Sequence, residues 1–432
     1  MPTVAFQTLG CKLNQAETAM MVQDFKDHRY RIVQSNDGAD VFVLNTCTVT
    51  GRTDARCRQA IRRVLRSRPE TTVIVAGCLA QVAADEMARI PGVDYIFGSR
   101  EKFEIFNHFK GPGKQESPVI FSGSIDNLKK PVPHTYGDYR DQTRAFLKIQ
   151  SGCNQQCTYC IVPRARGPSR SVPEAELARQ VRSLVQAGYR EIVLTGVHIG
   201  FYGKETGGVS QLPDLLETLC NLEGPERLRL SSLDPNDVSN ALMDCITKHD
   251  RICRHFHIPL QSGSDATLKA MRRGYDTKVY RKKLKMIASR FRHYGLGTDV
   301  IVGFPGETED LFKETVKFVR EQPFTYLHVF PFSVRKGTEA ADMANQVDRS
   351  VIIRRARKLQ ALASEKKQIF LEQWKGKTVQ VLLESRNRRG RMGGLTSEYI
   401  RVEVPYDESL ANQLVDVQIE LIEDGFVRGK VI

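Results

Sequence analysis

Short apolar runs rich in Val and Ile alternate with helix-like segments twice along this chain, and a stretch crowded with Pro, Gly and polar residues separates the two series. Such alternation restricts a chain to parallel sheets whose faces are covered by helices. The first series runs VAFQTLG, a periodic segment over 15–28, VFVLNT, RTDARCRQAIRRVLRS, TVIVAG, a helix over 81–89, YIFG and a short helix near 103–109. It predicts a small doubly wound α/β domain over 1–125, followed by a linker over 126–142 inside the Pro- and Gly-rich stretch that begins near Gly111. The second series has strands RAFLKIQ, EIVLTG, RLRLSS, HFHIPLQ, GTDVIVG and TYLHVFPF, with helices near 173–187, 212–220, 237–248, 265–271, 278–293 and 309–321 between them. These units predict a partial (β/α) barrel, whose chemistry gathers at the carboxyl ends of its strands, and a long helical pattern over 348–374 completes a domain of residues 143–375. Beyond it KTVQVLLES, YIRVEV, LVDVQIELIE and GFVRGKVI, with NRRGRMGG as a loop, predict a small closed β-barrel over 376–432.

The first barrel strand runs directly into SGCNQQCTYCIVPRARG, where Cys153, Cys157 and Cys160 have the spacing C-x3-C-x2-C. Three thiolates this close can hold three corners of a cubane 4Fe-4S cluster and leave the fourth iron open to a substrate or cofactor. A zinc site would want four ligands from nearby Cys or His, and no His lies between Cys153 and Cys160. In the first domain Cys11, Cys47 and Cys78 each follow a strand, so a parallel sheet lines them up along the carboxyl edge where ligands bind. Gly10 and Gly77 directly precede two of them and let the backbone approach a bulky inorganic ligand. This placement predicts a second cluster with three protein ligands. Cys57, mid-helix among arginines, follows no such pattern and reads as a structural or an exposed thiol, and Cys220, Cys245 and Cys253 read as structural.

Other barrel strand ends carry Thr195, Gly196 and Val197; Ser231, Ser232 and Asp234; His257, Gln261 and Ser262; and Asp299, Val302 and Gly303. These are candidates for a cofactor pocket, although Gly196 and Gly303 read also as turn glycines, Ser232 and Asp234 as a helix cap before Pro235, and His257 as a core histidine. The formal net charge of +14 suits a polyanionic partner such as nucleic acid. The densest basic run, Arg52, Arg56, Arg58, Arg62, Arg63, Arg66 and Arg68, is either a phosphate-binding face or a solvated one. The scattered cysteines do not form the framework of a secreted disulfide scaffold, MPTVAFQTLG lacks the layout of a signal peptide, and no apolar run is long enough to span a bilayer. A reducing cytoplasm, without a membrane partner, is the expected location.

The C-x3-C-x2-C loop, with Tyr159 before its last cysteine, resembles the signature of the radical S-adenosylmethionine enzymes. The resemblance implies that the open iron binds the methionine moiety of S-adenosylmethionine, and that an electron from a donor such as flavodoxin or ferredoxin splits the sulfonium to a 5′-deoxyadenosyl radical. More narrowly, the whole chain resembles the methylthiotransferase family, on its three-cysteine first domain, GCNQQCTYCIVPRARG, HIPLQSGSD, TDVIVGFPGET and FPFSVRKGT. That family implies catalytic roles for both cysteine triads, with a second 4Fe-4S cluster on Cys11, Cys47 and Cys78 carrying the sulfur, and S-adenosylmethionine serving as methyl donor and radical source. It also implies a cofactor pocket drawn from Tyr159, Gly196, Val197, Ser232, Gln261, Asp299 and Val302. One departure from the wider radical family is LTGV, which has no adjacent acidic residue beside Gly196.

TLGCKLNQAE, TRAFLKIQSGC and RLRLSSLDP look most like the branch that acts on N6-threonylcarbamoyladenosine next to the tRNA anticodon. Carbon 2 of a purine has no acidic proton and is a poor site for a nucleophile, so a radical paired with a sulfur donor suits that substitution. The carboxyl-terminal part resembles the TRAM domain, an RNA-binding module, and Arg386, Arg388, Arg389 and Arg391 fit either a loop contacting the phosphates of an anticodon stem-loop or a solvated hairpin tip. The alternatives are methylthiolation of isopentenyladenosine in tRNA or of a ribosomal-protein side chain, and, from another class, an iron–sulfur RNA-binding or electron-transfer protein without catalysis.

Overall fold

The structure, a computed structural model, describes residues 1–34, 38–48, 51–128, 130–131 and 143–432, with the side chains of 51–54 outside the description. The linker expected over 126–142 therefore lies mostly outside the described residues, as does the side chain of Arg52. The first domain comprises β1 (Thr3–Thr8), α1 (Lys12–Asp27), β2 (Arg31–Val33), β3 (Val41–Thr46), α2 (Gly51–Ser67), β4 (Thr72–Gly77), α3 (Cys78–Val82), α4 (Ala84–Ala88), β5 (Tyr95–Phe97), α5 (Ile105–His108) and β6 (Val119–Phe121). Its strands form one parallel sheet in the order β2-β1-β3-β4-β5-β6. Alternate residues of the central strands feed two cores: Phe42, Leu44, Val73 and Val75 on one face, Val41, Val43, Ile74 and Ala76 on the other. That is the period-two signature of a sheet covered on both sides.

Several local expectations need correction. The helix expected from 15 begins at Lys12, immediately after Cys11. The helix expected over 81–89 is two short helices, α3 starting at Cys78 itself, broken where Ala83 leaves helical geometry (φ −143°, ψ 42°). The helix expected near 103–109 is a 3-10 turn (Glu101–Phe103) followed by α5. The Pro- and Gly-rich stretch after Gly111 still supplies β6, which pairs with β5.

The second domain contains β7 (Arg144–Lys148), β8 (Gln150–Ser151), α6 (Val162–Arg166), β9 (Arg170–Ser171), α7 (Glu174–Gln186), β10 (Glu191–Thr195), α8 (Lys204–Gly207), α9 (Leu212–Cys220), β11 (Arg227–Leu230), α10 (Asn240–Lys248), β12 (His255–His257), α11 (Asp265–Ala270), α12 (Thr277–Arg290), β13 (Gly295–Val302), α13 (Glu309–Glu321), β14 (Tyr326–Pro331), α14 (Glu339–Asp342) and α15 (Arg349–Glu372). Two parallel triplets, β7–β10–β11 and β12–β13–β14, are joined by bridges Leu228 to Ile252 and Ser232 to His257. The result is a partial barrel, open between β7 and β14 among the described residues. Beside β7 the first domain contributes to the wall: Ala16 and Met20 of α1 belong to the same core as Ala145, Leu147 and Leu194.

A closed antiparallel barrel with one parallel pair ends the chain: β15 (Thr378–Leu383), β16 (Arg391–Thr396), β17 (Arg401–Pro405), β18 (Leu414–Glu423) and β19 (Phe426–Val431), in the order β15-β16-β17-β19-β18. The loop expected at NRRGRMGG is shorter than its sequence suggests, because Arg391 onward forms β16. Its glycines let strands close up, since a Cβ on Gly394 would run into the Leu382 carbonyl. The turn after β16 plugs the amino-terminal end of the larger barrel. Arg227 donates to the Leu395 carbonyl (2.9 Å), Arg229 to those of Thr396 and Ser397 (both 2.9 Å), and the Tyr399 ring stacks on His255 at 4.4 Å. Glu191 holds Arg229 with two bonds of 2.7 and 3.1 Å, so the docking arginine is fixed from both sides.

Candidate functional site: two cysteine triads at one boundary

Strand β7 delivers Cys153 through Gly152, whose positive φ of 76° takes the chain against the Pro168 carbonyl. The β8–β9 pair closes the base of the loop, and Cys153 N donates to the Gly167 carbonyl at 3.1 Å. Cys153, Cys157 and Cys160 are free and partly accessible. Arg273 Nη1 lies 3.0 Å from Cys157 Sγ; its Nη2 pairs with Asp234 at 2.5 Å, and Asp234 also accepts from Gln155 at 3.2 Å. His198 Nε2 bonds Asp237 Oδ2 at 2.5 Å, and Cys153 Sγ accepts from Gln155 N at 3.4 Å. Burial works against the charge on His198, but Asp237 and the neighbouring Cys153 outweigh it and raise the imidazole to about 9. Burial also pushes the Cys160 thiol up to about 12. Buried thiols favour the thiolate only when metal replaces the proton, and N–H donors on two of the three sulfurs, the Arg273 guanidinium on Cys157 and the Gln155 amide on Cys153, suit a thiolate-ligated cluster. This donor set fits a 4Fe-4S cluster with one open iron.

Beside it opens a cavity of about 200 Å³ lined by Tyr159, Cys160, Gln261, Asp299, Ile301 and Phe330, among others. Three of the expected pocket residues, Tyr159, Gln261 and Asp299, thus meet there. Gln261 adopts a left-handed φ of 65° and bridges to Val300. The other four do not line this cavity. Val302 is fully buried in the barrel core. Ser232 Oγ bonds His257 Nδ1 at 2.7 Å rather than capping a helix. Gly196 packs against Gln150, and the amides of Val197 and His198 both donate to Gln150 Oε1, at 3.0 and 2.9 Å. Asp234 does cap, accepting from Asn236 N at 3.0 Å, while its second oxygen serves Arg273 and Gln155. His257 is not a fully satisfied core histidine: Nε2 stands 3.1 Å from Asp299 Oδ1 without forming a hydrogen bond.

In the first domain, β1, β3 and β4 are neighbours, and Cys11, Cys47 and Cys78 follow their carboxyl ends. A Cβ on Gly10 (φ 122°) would stand 2.5 Å from Cys47 Cβ and 3.0 Å from its Sγ, so the glycine is what admits Cys47. Gly77 (φ 101°) allows a similar approach to Asn45, whose Oδ1 a Cβ would meet at 2.5 Å. Cys47 and Cys78 are buried while Cys11 is exposed, and the Arg166 guanidinium acts electrostatically on both Cys11 and Cys78. The three thiols, the glycine cradle and the adjacent guanidinium fit a second cluster.

Sequence reasoning missed the group that ties the triads together. Arg166 of α6, in the RARG that ends the first cysteine loop, reaches into the first domain. It bonds Asn14 Oδ1 at 2.7 Å and Glu17 at 2.7 and 2.8 Å, and Asn14 in turn braces the Leu9 and Thr46 carbonyls, each at 2.9 Å. Lys102 and Lys148 also meet the fully buried Glu17, at 2.6 and 3.2 Å. The one sequence signal was the pair of arginines so close to Cys160. Arg386, Arg388 and Arg389 are exposed on the tip between β15 and β16, whereas Arg391 is partly buried at the start of β16. Arg56, Arg62, Arg63 and Arg66 are exposed on α2, and Cys57 is fully buried. Among the described residues no helix is long and apolar enough to cross a membrane.

Residues 3–98 match the family described as "Uncharacterized protein family UPF0004", and residues 147–319 match the radical SAM superfamily. The chain is 38% identical over 426 residues to the threonylcarbamoyladenosine tRNA methylthiotransferase of Bacillus subtilis (strain 168), covering 97% of this chain and 94% of that protein. It is 33% identical over 431 residues to the tRNA-2-methylthio-N(6)-dimethylallyladenosine synthase of Fusobacterium nucleatum subsp. nucleatum, covering 98% of each. In fold it is similar to the radical S-adenosylmethionine methyltransferase TsrM of Kitasatospora setae, with a TM-score of 0.57 and 14% identity, covering 79% of this chain and 77% of that one.

Proposed function

The chain belongs to the radical S-adenosylmethionine methylthiotransferase family, and on that premise we propose that it places a methylthio group on carbon 2 of N6-threonylcarbamoyladenosine beside the anticodon of tRNA. The observation that best supports one concerted site is Arg166: it follows one cysteine triad in sequence and lies against the other in space. Cys153, Cys157 and Cys160 are the residues assigned to the cluster that engages S-adenosylmethionine, and Cys11, Cys47 and Cys78 to the cluster that carries sulfur. When bound, these groups supply one-electron cleavage of the sulfonium, a methyl group and the sulfur to be transferred.

The chain's own part is to hold and shield. Arg273 donates to the Cys157 sulfur and is fixed by Asp234, while His198, fixed by Asp237, places its charge beside Cys153. Tyr159, Gln261 and Asp299 wall the adjoining cavity together with apolar Ile301 and Phe330. Exposed Arg386, Arg388 and Arg389 are suited to phosphates of an anticodon stem-loop. A flavodoxin- or ferredoxin-type reductant would supply the electron.

The threonylcarbamoyl substrate is favoured by the more similar relatives, and the dimethylallyl one by the 33% identical relative from Fusobacterium. Nucleoside mass spectrometry of tRNA from cells lacking the chain separates them. Loss of 2-methylthio-N6-threonylcarbamoyladenosine supports the proposal; its persistence, with loss of the dimethylallyl product instead, would overturn it.

A further inference from the structure

Lys12, the first residue of α1 and the neighbour of Cys11, stands with Nζ 5.6 Å over the Tyr399 ring. It lies within electrostatic range of Arg144, Arg229, His255 and His328, and of the Glu191 carboxylate, which is itself engaged by Arg229. The arginines around it have acidic partners. Glu191 takes two bonds from Arg229 and lies 3.9 Å from Arg227 and 4.0 Å from Arg144; Glu384 lies 3.9 Å from Arg144 and 3.8 Å from Arg401. Lys12 has, among the described residues, neither a hydrogen bond nor an ion pair. A partly buried cation with no anion in direct contact is unfavourable, and is accounted for when the anion arrives with a ligand.

The surroundings suit such a ligand. Tyr399 also borders a cavity of about 560 Å³ whose lining includes Arg144, Tyr326, His328, Lys367 and Arg401 and no acidic side chain. Aromatic rings cluster there, with Tyr326 5.3 Å from His328 and 5.8 Å from Tyr399, and aromatic faces accept a planar base.

We propose that Lys12 binds the carboxylate of the substrate's N6 substituent, so that the enzyme selects an amino-acid-bearing adenosine over one with a neutral N6 group. The assignment rests on the functional reading above. A charged group at Lys12 discriminates in both directions, since a neutral substituent leaves the ammonium desolvated and unpaired.

The test pairs a change in the protein with a change in the RNA. Reconstituted full-length enzyme, as wild type, Lys12→Gln and Lys12→Arg, is titrated at fixed salt with anticodon stem-loops carrying N6-threonylcarbamoyladenosine or its neutral carboxamide, and Kd, KM and kcat are measured. Neutralising the RNA carboxylate should weaken wild-type binding by about tenfold or more. Lys12→Gln should weaken the carboxylate RNA by a similar factor and abolish the difference between the two RNAs, while Lys12→Arg retains most of it. Equal loss on both RNAs, as from a phosphate contact or a structural defect, or no loss at all, overturns the assignment. If wild-type enzyme forms no 2-methylthio product on the threonylcarbamoyl stem-loop yet modifies a dimethylallyl one, the functional reading itself fails, and this is visible without any variant.

Discussion

Arg166 and Glu17 form a two-pronged ion pair across the boundary between the first domain and the barrel, with Nη1 2.7 Å from Oε1 and Nη2 2.8 Å from Oε2. Burial alone would push the Glu17 carboxyl up, but the charges of Arg166, Lys102 and Lys148 outweigh it and hold the carboxyl well below the usual carboxylate range. One carboxylate therefore neutralises part of three buried cations beside the first-domain cysteines.

Glu17→Gln leaves those cations without their shared anion. The variant should lose about 3–5 kcal/mol of stability, as expected for one partner removed from a buried pair. Urea unfolding checks this; a loss under about 1 kcal/mol would mean that solvent reaches the site and the pair is not load-sharing as described.

The two triads should separate by readout. Cys153→Ala, Cys157→Ala or Cys160→Ala is expected to abolish 5′-deoxyadenosine formation, whereas Cys11→Ala, Cys47→Ala or Cys78→Ala should spare it and stop methylthio insertion. Anaerobic assays with S-adenosylmethionine and a reductant decide, and loss of 5′-deoxyadenosine in both sets would refute the division of labour.

Gly10→Ala should act on the first-domain site alone, because the added Cβ collides with Cys47 at a φ of 122°. Reconstituted protein should lose roughly half its cluster iron, the share of one of two cubanes. Gly188→Ala is the control: its φ of 90° is also left-handed, but nothing lies within 4 Å of the new Cβ, so full iron loading is expected. Equal iron in both variants would dismiss the cradle.

A pH dependence follows from Lys148. Burial, helped by Lys102 and Arg166 and opposed by Glu17, brings its ammonium down to about 8. A lysine in the unfolded chain titrates near ~10.4. Between those values the unfolded chain holds more protons, so this group adds stability as pH rises from about 8 toward ~10.4, and its cost is fully present below that window. Relative to Lys148→Met, the wild type should gain on the order of 2 kcal/mol between pH 7 and pH 10. Parallel unfolding curves for the two proteins would contradict it.

The parts legible in the sequence were those written locally. VFVLNT and TVIVAG are short, nearly continuous apolar runs, and as β3 and β4 they are buried at every position, as strands covered on both faces must be; a cysteine at each strand end needs only a parallel sheet to find its companions. Short edge strands β2 and β6 gave too few residues for a pattern, and Gly393 and Gly394 disguised β16. Side-chain partners were harder still. Arg166 and Glu17 are 149 residues apart, and Arg273 lies 116 beyond Cys157, so no spacing rule could pair them. Val302 shows the same limit: a strand end places a residue at the barrel mouth, but the pleat decides which way its side chain turns, and Val302 packs in the core.

The plug that the turn after β16 drives into the base of the larger barrel has a metrical consequence. Held by Arg227 and Arg229, and by Tyr399 against His255, the small barrel cannot swing independently of the two cysteine sites. RNA held at the Arg386–Arg389 tip, as proposed above, would then be gauged from a fixed post, and the nucleotide presented for chemistry would be chosen by its distance along the stem-loop as well as by its shape.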